Sequence, residues 1–337
     1  MRVFITGIAG FLGSHLADAL LRDGHVVGGV DSLIGGYEDN VPEGVQIWWK
    51  ADCNELSCLN GYFDQFKPEI VFHCAALAYE GLSVFSPHIV TQSIVGASTS
   101  VFSASITAGV KRIVHCSSMA RYGRGNPPFD EAHRPEPQDP YGIGKLCAEQ
   151  MLRNLCETHG VEFTIAVPHN IVGPRQKYDD PYRNVASIMI NRALQGKPII
   201  VYGDGTQVRC FSYVDDCISC LKKMAFQDNV VGEVINIGPD EGSVTIRELA
   251  FLVQFITDTE NIPIEYMPGR PQEVKIALCS SSKARHLLAY KTKTHLTDAL
   301  CNMVDYIRER GTRPFDYHLP LEIVSEKTPR TWKERLF

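Results

Sequence analysis

The sequence predicts an α/β protein: a doubly wound parallel sheet in the N-terminal half, followed by a smaller C-terminal α/β domain. Three observations predict it. Short β-branched apolar runs alternate with stretches of helical periodicity from Arg2 to Pro168. A glycine-rich turn, Gly7-Ile-Ala-Gly10-Phe11-Leu12-Gly13, follows the first run and opens the first helix. The chain is also long enough to bury a substantial core, with 337 residues, 44% hydrophobic and 21% charged. The expected division is residues 1–173 for the sheet domain, 174–314 mainly for the second domain and 315–337 for a tail. Strand and helix returns from about 205 to 240 also pack on the sheet.

In order, Arg2–Thr6 reads as a buried strand, and Ser14–Asp23 as a helix with Leu16, Ala19 and Leu20 at helical spacing. Gly24 stops that helix, and His25–Val30 is a second strand ending in Asp31. Gln46–Lys50 is a third strand, Leu56–Phe66 an amphipathic helix and Ile70–Leu77 a fourth strand running into a turn of small residues. Ile89–Gly109 is a long helix, Arg112–Ser118 a fifth strand, Tyr141–His159 a helix and Glu162–Pro168 a sixth strand. Beyond Gly173 the expected elements are a loop and helix over 180–194, strands at Ile199–Tyr202, Phe211–Val214, Val234–Ile237 and Ile264–Tyr266, and helices at Asp216–Ala225, Thr245–Thr257, Ser282–Leu288 and Thr297–Arg310. Val234–Ile237 reads as a late strand of the main sheet, and the tail after Gly311 receives no assignment.

Strand, glycine turn, helix, strand and acid together form the dinucleotide-binding fingerprint of Rossmann-type folds. Gly7 permits the tight turn, Gly10 lets backbone approach a pyrophosphate, and Gly13 lets helix pack on strand. The helix N-terminus then offers free N–H groups and a positive dipole end. Asp31 can accept from both ribose hydroxyls and would repel a 2′-phosphate, and no arginine follows in Ser32–Gly36, so NAD is expected over NADP. Asp52 is placed either to meet the adenine amino group or to N-cap the next helix.

The net charge of −6 offers no basic surface for nucleic acid. No apolar run is judged long enough for a membrane, and the chain opens directly on a strand rather than a signal peptide. Eleven cysteines, scattered and odd in number, fit a reducing cytoplasm. Cys53, Cys74, Cys116 and Cys210 read as small core residues, and Cys217-Ile-Ser-Cys220 as a helix face rather than a metal site, since no second pair or histidine cluster accompanies it.

The chemistry concentrates at Tyr141-Gly-Ile-Gly-Lys145, which puts a phenol and an ammonium one turn apart on one helix face. The ammonium favours phenolate, making Tyr141 a general base, and the strand-end Ser118 can aim its hydroxyl at the same spot.

With these pieces in hand, the chain resembles the extended short-chain dehydrogenases/reductases, in the NAD-dependent nucleotide-sugar epimerase/dehydratase family, over about Arg2 to Arg310. The matching segments are the glycine turn, Asp31, Asp52, His73-Cys74-Ala75-Ala76, Ser117-Ser118, Tyr122-Gly123 and Tyr141 to Lys145. The resemblance implies catalysis by Ser118, Tyr141 and Lys145. It implies NAD contacts from Gly7, Gly10, Phe11, Leu12, Gly13, Asp31, Asp52, Cys53, Cys74, Ala75, Ala76, Ser93, Ser117, Tyr141, Lys145 and Pro168. A nucleotide-diphosphate sugar would meet Ser118, Tyr141, Asn170, Arg209, Arg270 and Glu273, with the arginines on its phosphates. Ser93 departs from an Asn common in the family, Arg121 has no family role, and Tyr79-Glu80 sits where it could face the sugar. The family's dehydratases carry an acidic pair where this chain has Met119 and Ala120. The resemblance therefore implies a 4-epimerase, closest to the UDP-sugar 4-epimerases, working as a homodimer through the helices Ile89–Gly109 and Tyr141–His159. A 4,6-dehydratase, a 4-keto reductase and a non-catalytic NAD-binding regulator of the same fold are the alternatives.

Overall fold

A computed structural model describes residues 1–337. Seven strands form one parallel sheet: β1 (Arg2–Thr6), β2 (Val26–Asp31), β3 (Ile47–Lys50), β4 (Ile70–His73), β5 (Arg112–Cys116), β6 (Glu162–Pro168) and the late strand Val234–Ile237. Their spatial order is Val234–Ile237, β6, β5, β4, β1, β2, β3, and every neighbouring pair is parallel. The order reverses between β1 and β4, so the crevice at the C-terminal ends of these two strands is the topological switch point.

Helices cover both faces because the strands are apolar on both sides. One face packs against α1 (Phe11–Arg22) and the helix Val214–Phe226 in a cluster holding Val3, Ile5, Leu16, Leu20 and Leu221. The other packs against α2 (Leu56–Phe66), the long helix Pro87–Thr107 and the helix Pro140–His159, around Phe4, Phe63, Phe102 and Leu152. A third cluster gathers Val185–Leu194, Ile246–Thr257 and Leu296–Arg310 over the paired strands Ile199–Tyr202 and Ile264–Met267.

Several boundaries differ from the sequence reading. α1 begins at Phe11, three residues early, because Gly10 already has the extended N-cap conformation and the helix starts inside the glycine turn. The Phe211–Val214 strand shrinks to Ser212–Tyr213, since Val214 is drawn into the following helix. The long helix begins at Pro87 and contains a π-turn at Gln92–Gly96. At 21 residues it is long and apolar enough to cross a membrane, contrary to the expectation that no such run exists. Here it lies in the helical layer, with Val101 and Phe102 fully buried against the sheet. Cys217 and Cys220 lie in the core of the first cluster. The tail after Gly311, which the sequence left blank, is laid over the aromatic cluster of Leu77, Tyr79, Phe85, Tyr141 and Tyr182, with a single helical turn at Arg330–Lys333.

Candidate functional site

The glycine turn is built as its sequence demands. Gly7 holds φ +76°, a left-handed conformation open to glycine, and its N–H donates to Val30 O at 2.8 Å, tying the turn to β2. A Cβ on Gly13 would collide with the Gly7 carbonyl oxygen, so only glycine lets α1 approach this closely. α1 has no side-chain cap, which leaves its first N–H groups free for an anionic partner.

Asp31 ends β2 beside this turn. Its Oδ2 accepts from Ala9 N at 2.9 Å and its Oδ1 from Leu33 N at 2.7 Å. Burial raises its pKa, and the backbone donors and the Arg183 guanidinium oppose that shift. Asp52 does not cap α2, whose N-cap is Glu55; its Oδ1 accepts from the backbone and side-chain nitrogens of Asn54, both at 2.9 Å. That corrects the capping alternative while leaving Asp52 on the wall of the cavity.

The three groups that the sequence assigns to catalysis come from two elements. Asp139 caps the helix Pro140–His159, accepting from Gly142 N at 2.9 Å, with Pro140 in the first turn. This cap fixes Tyr141 at the mouth of the switch-point crevice. One turn on, Lys145 Nζ donates to Cys116 O at 2.8 Å and lies 5.9 Å from the Tyr141 ring centroid. Ser118 follows β5, and its Oγ accepts from Ala120 N at 3.2 Å.

The protein groups alone do not bring Tyr141 to phenolate. Burial raises the Tyr141 pKa; the facing Ser118 hydroxyl and, more weakly, Arg183 oppose it, whereas Glu80 and Asp139 reinforce it. Burial also lowers Lys145 to about 8. These groups together favour the neutral phenol of Tyr141, and a positive charge added beside it would favour phenolate.

All the residues assigned to cofactor or substrate by sequence line one cavity of about 440 Å³ along this crevice. Some have prior engagements. The Ser117 hydroxyl is bonded to the Glu149 carboxylate, and Ser93 Oγ turns back to Val90 O at 2.9 Å, within the π-turn. Each of those hydroxyls donates its proton to a protein group and keeps acceptor lone pairs on the cavity wall. Phe11, Leu12, Cys53, Cys74, Ala75, Ala76 and Pro168 offer apolar or backbone surface to the same cavity. At its other end, Arg270 pairs with Glu273 at 2.8 Å over the Tyr202 ring, while Arg209 Nη2 donates to Val274 O at 2.8 Å. Asn170 holds φ +44° and donates to Cys210 O at 2.9 Å.

Sequence reasoning missed Asp139, although Asp-Pro directly before the helix is a capping signature. It also missed Arg183, which donates to Gly35 O at 2.8 Å and stacks 5.1 Å from the Tyr79 ring centroid. Glu80 lines the cavity as suggested, whereas Tyr79 is fully buried and donates to Asp180 Oδ2 at 2.6 Å. Glu80 is open to the cavity, yet the enclosing walls and the Asp139 carboxylate push it up to about 7. Arg121 lies behind the site, ion-paired to Glu149 at 2.9 Å and set over the Tyr122 ring.

Residues 3–238 match the model of the NAD dependent epimerase/dehydratase family. A UDP-glucose 4-epimerase of Mycolicibacterium smegmatis is 30% identical over 321 residues, covering 92% of this chain and all of that protein. A UDP-N-acetyl-alpha-D-glucosaminuronate decarboxylase of Bacillus cytotoxicus is also 30% identical, over 91% of this chain and 98% of its own. Among solved structures, the UDP-glucose 4-epimerase of Thermus thermophilus in complex with NAD superposes with a TM-score of 0.85 at 28% identity, over 91% of this chain and 99% of that one.

Proposed function

The chain belongs to the NAD dependent epimerase/dehydratase family, and from that premise we propose that it is a nucleotide-sugar 4-epimerase acting on a UDP-sugar. The cofactor is NAD. The glycine turn fits it: the Cβ-free cradle, the uncapped N-terminus of α1 and the Asp31 carboxylate at the end of β2 are what a pyrophosphate and a ribose require. Bound there, NAD supplies the hydride acceptor and its return.

In this reading Tyr141 takes the proton of the sugar's C4 hydroxyl while Ser118 holds that oxygen. Lys145 holds its positive charge beneath the phenol and binds the nicotinamide ribose. Arg209 and Arg270 grip the diphosphate, about which the 4-keto sugar rotates to present the opposite face of C4 for return of the hydride, and Tyr141 gives the proton back to the C4 oxygen. Residues 1–173 serve the cofactor and 174–314 mainly the substrate. The protein is taken to be cytoplasmic, in keeping with eleven free cysteines. It is taken to pair with a second copy through the helices Pro87–Thr107 and Pro140–His159, where Ile143 is exposed on the outer face.

The observation that carries the reading is the convergence of Tyr141, Lys145 and Ser118 on one cavity with the glycine turn, where Met119 and Ala120 offer no acid for loss of water. Incubating the protein with UDP-, GDP-, CDP- and dTDP-sugars and following product stereochemistry by NMR tests it. Interconversion at C4 is the expected result. Glu80 favours one second reading, since a cavity-facing carboxyl titrating near neutrality could serve proton transfer in a dehydratase. A product lighter by one water would select that reading.

A further inference from the structure

We infer that the C-terminal segment, residues 312–337, is built into the substrate pocket, and that Trp332 is its contact with the sugar. The inference rests on the nucleotide-sugar reading above. The segment first binds the smaller cluster of helices: Asn191 Nδ2 donates to Arg313 O at 2.9 Å, and Asp316 N to Asp179 O at 2.8 Å. It then crosses to the sheet domain. Ser86 Oγ donates to Pro320 O at 2.8 Å, and the Glu322 carboxylate accepts from His88 N and Ile89 N at 2.8 and 2.9 Å, capping the long helix. It finally returns, with Trp332 Nε1 donating to Pro181 O at 3.1 Å and Arg192 Nη1 to Leu336 O at 3.0 Å. A strap bonded to both halves holds the width of the cleft between them.

Trp332 lines the same cavity as Tyr141 and Arg270. Its indole N–H is consumed by Pro181, and its ring is wedged against Tyr182 at 5.7 Å and Phe85 at 6.0 Å, which fixes its orientation. Its Cη2 lies 3.4 Å from where a Cβ on Gly81 would stand, and Arg270 Nη1 lies 3.3 Å from the same point. The indole edge and the Arg270 guanidinium thus both come up to Gly81, next to Glu80, in the cavity that Tyr141 also lines. A pyranose joined to a diphosphate on Arg270 and reaching Tyr141 would pass this ring, and the carbon–hydrogen face of a sugar packs on aromatic carbon.

The full-length, NAD-loaded protein is titrated calorimetrically with UDP-glucose and with UDP. Trp332→Ala is expected to weaken UDP-glucose binding about tenfold, as loss of a central aromatic contact does. UDP affinity and bound NAD should stay native, and Trp332→Phe should restore most of the affinity. Native UDP-glucose affinity in Trp332→Ala, or an equal loss for UDP and UDP-glucose, overturns the inference. Should the alanine variant not fold, Trp48→Phe with Trp49→Phe leaves Trp332 as the one remaining tryptophan of three. Saturating UDP-glucose must then change its emission, and an unchanged spectrum overturns the inference. A native protein that binds neither UDP nor UDP-glucose defeats the function proposed above, and this inference with it.

Discussion

Tyr141 sits where burial opposes its ionisation, so its reactivity depends on what surrounds it when the site is filled. Replacing it with Phe removes the proton acceptor without disturbing the glycine turn. Tyr141→Phe should lower kcat about a thousandfold or more while NAD copurifies as before, checked by turnover assay and by cofactor released on denaturation. In the mechanism proposed above, Lys145 sets the pH range. Its pKa is lowered to about 8 by burial, so the ammonium is present below that pH and lost above it. The sign follows: kcat/KM should fall as pH rises through about 8 in a steady-state profile, and Lys145→Met should remove that limb. At this scale the sequence was legible where chemistry is local. Tyr141 and Lys145 are one helical turn apart, and spacing alone puts them on a common face. Arg183 and Glu80 were harder to place because segments far apart in the chain bring them to the cavity, and no periodicity encodes that meeting.

The elements that aim these groups are the glycine turn with α1 and the helix Pro140–His159. Gly13→Ala drives a methyl into the Gly7 carbonyl, so the turn must open. The variant should purify folded by circular dichroism but without NAD. Asp139→Ala removes the cap at the start of the helix Pro140–His159. It should cost about 1 kcal/mol in chemical denaturation and lower kcat by freeing the turn that carries Tyr141. The Arg121–Glu149 pair holds the same helix from behind, both side chains being under a tenth exposed. Arg121→Met leaves a buried carboxylate unpaired and should cost about 3–5 kcal/mol, with little change in NAD affinity for the fraction that folds. Element types were legible from periodicity and caps, but their ends were not. α1 starts three residues early because a glycine turn can be both loop and N-cap, and the strand expected at Phe211–Val214 lost its end to the helix that follows.

Over the whole molecule, the parallel sheet sets the switch-point crevice between β1 and β4, and the smaller cluster of helices faces it across the cavity. The alternation of strands and helices made the sheet legible, including the late return of Val234–Ile237 to pair with β6. The tail was opaque. Its contacts are backbone hydrogen bonds and scattered aromatics bound to partners far away in sequence, such as Trp332 on Pro181, and neither period 2 nor period 3.6 records them. The central claim joins all three scales: one phenol in one crevice serves oxidation and reduction at the sugar's C4. NMR of the native protein with UDP-glucose and no added cofactor tests it most directly. The account predicts that C4-epimeric product accumulates to equilibrium with native protein and not with Tyr141→Phe. Epimerisation by Tyr141→Phe at the native rate would contradict it.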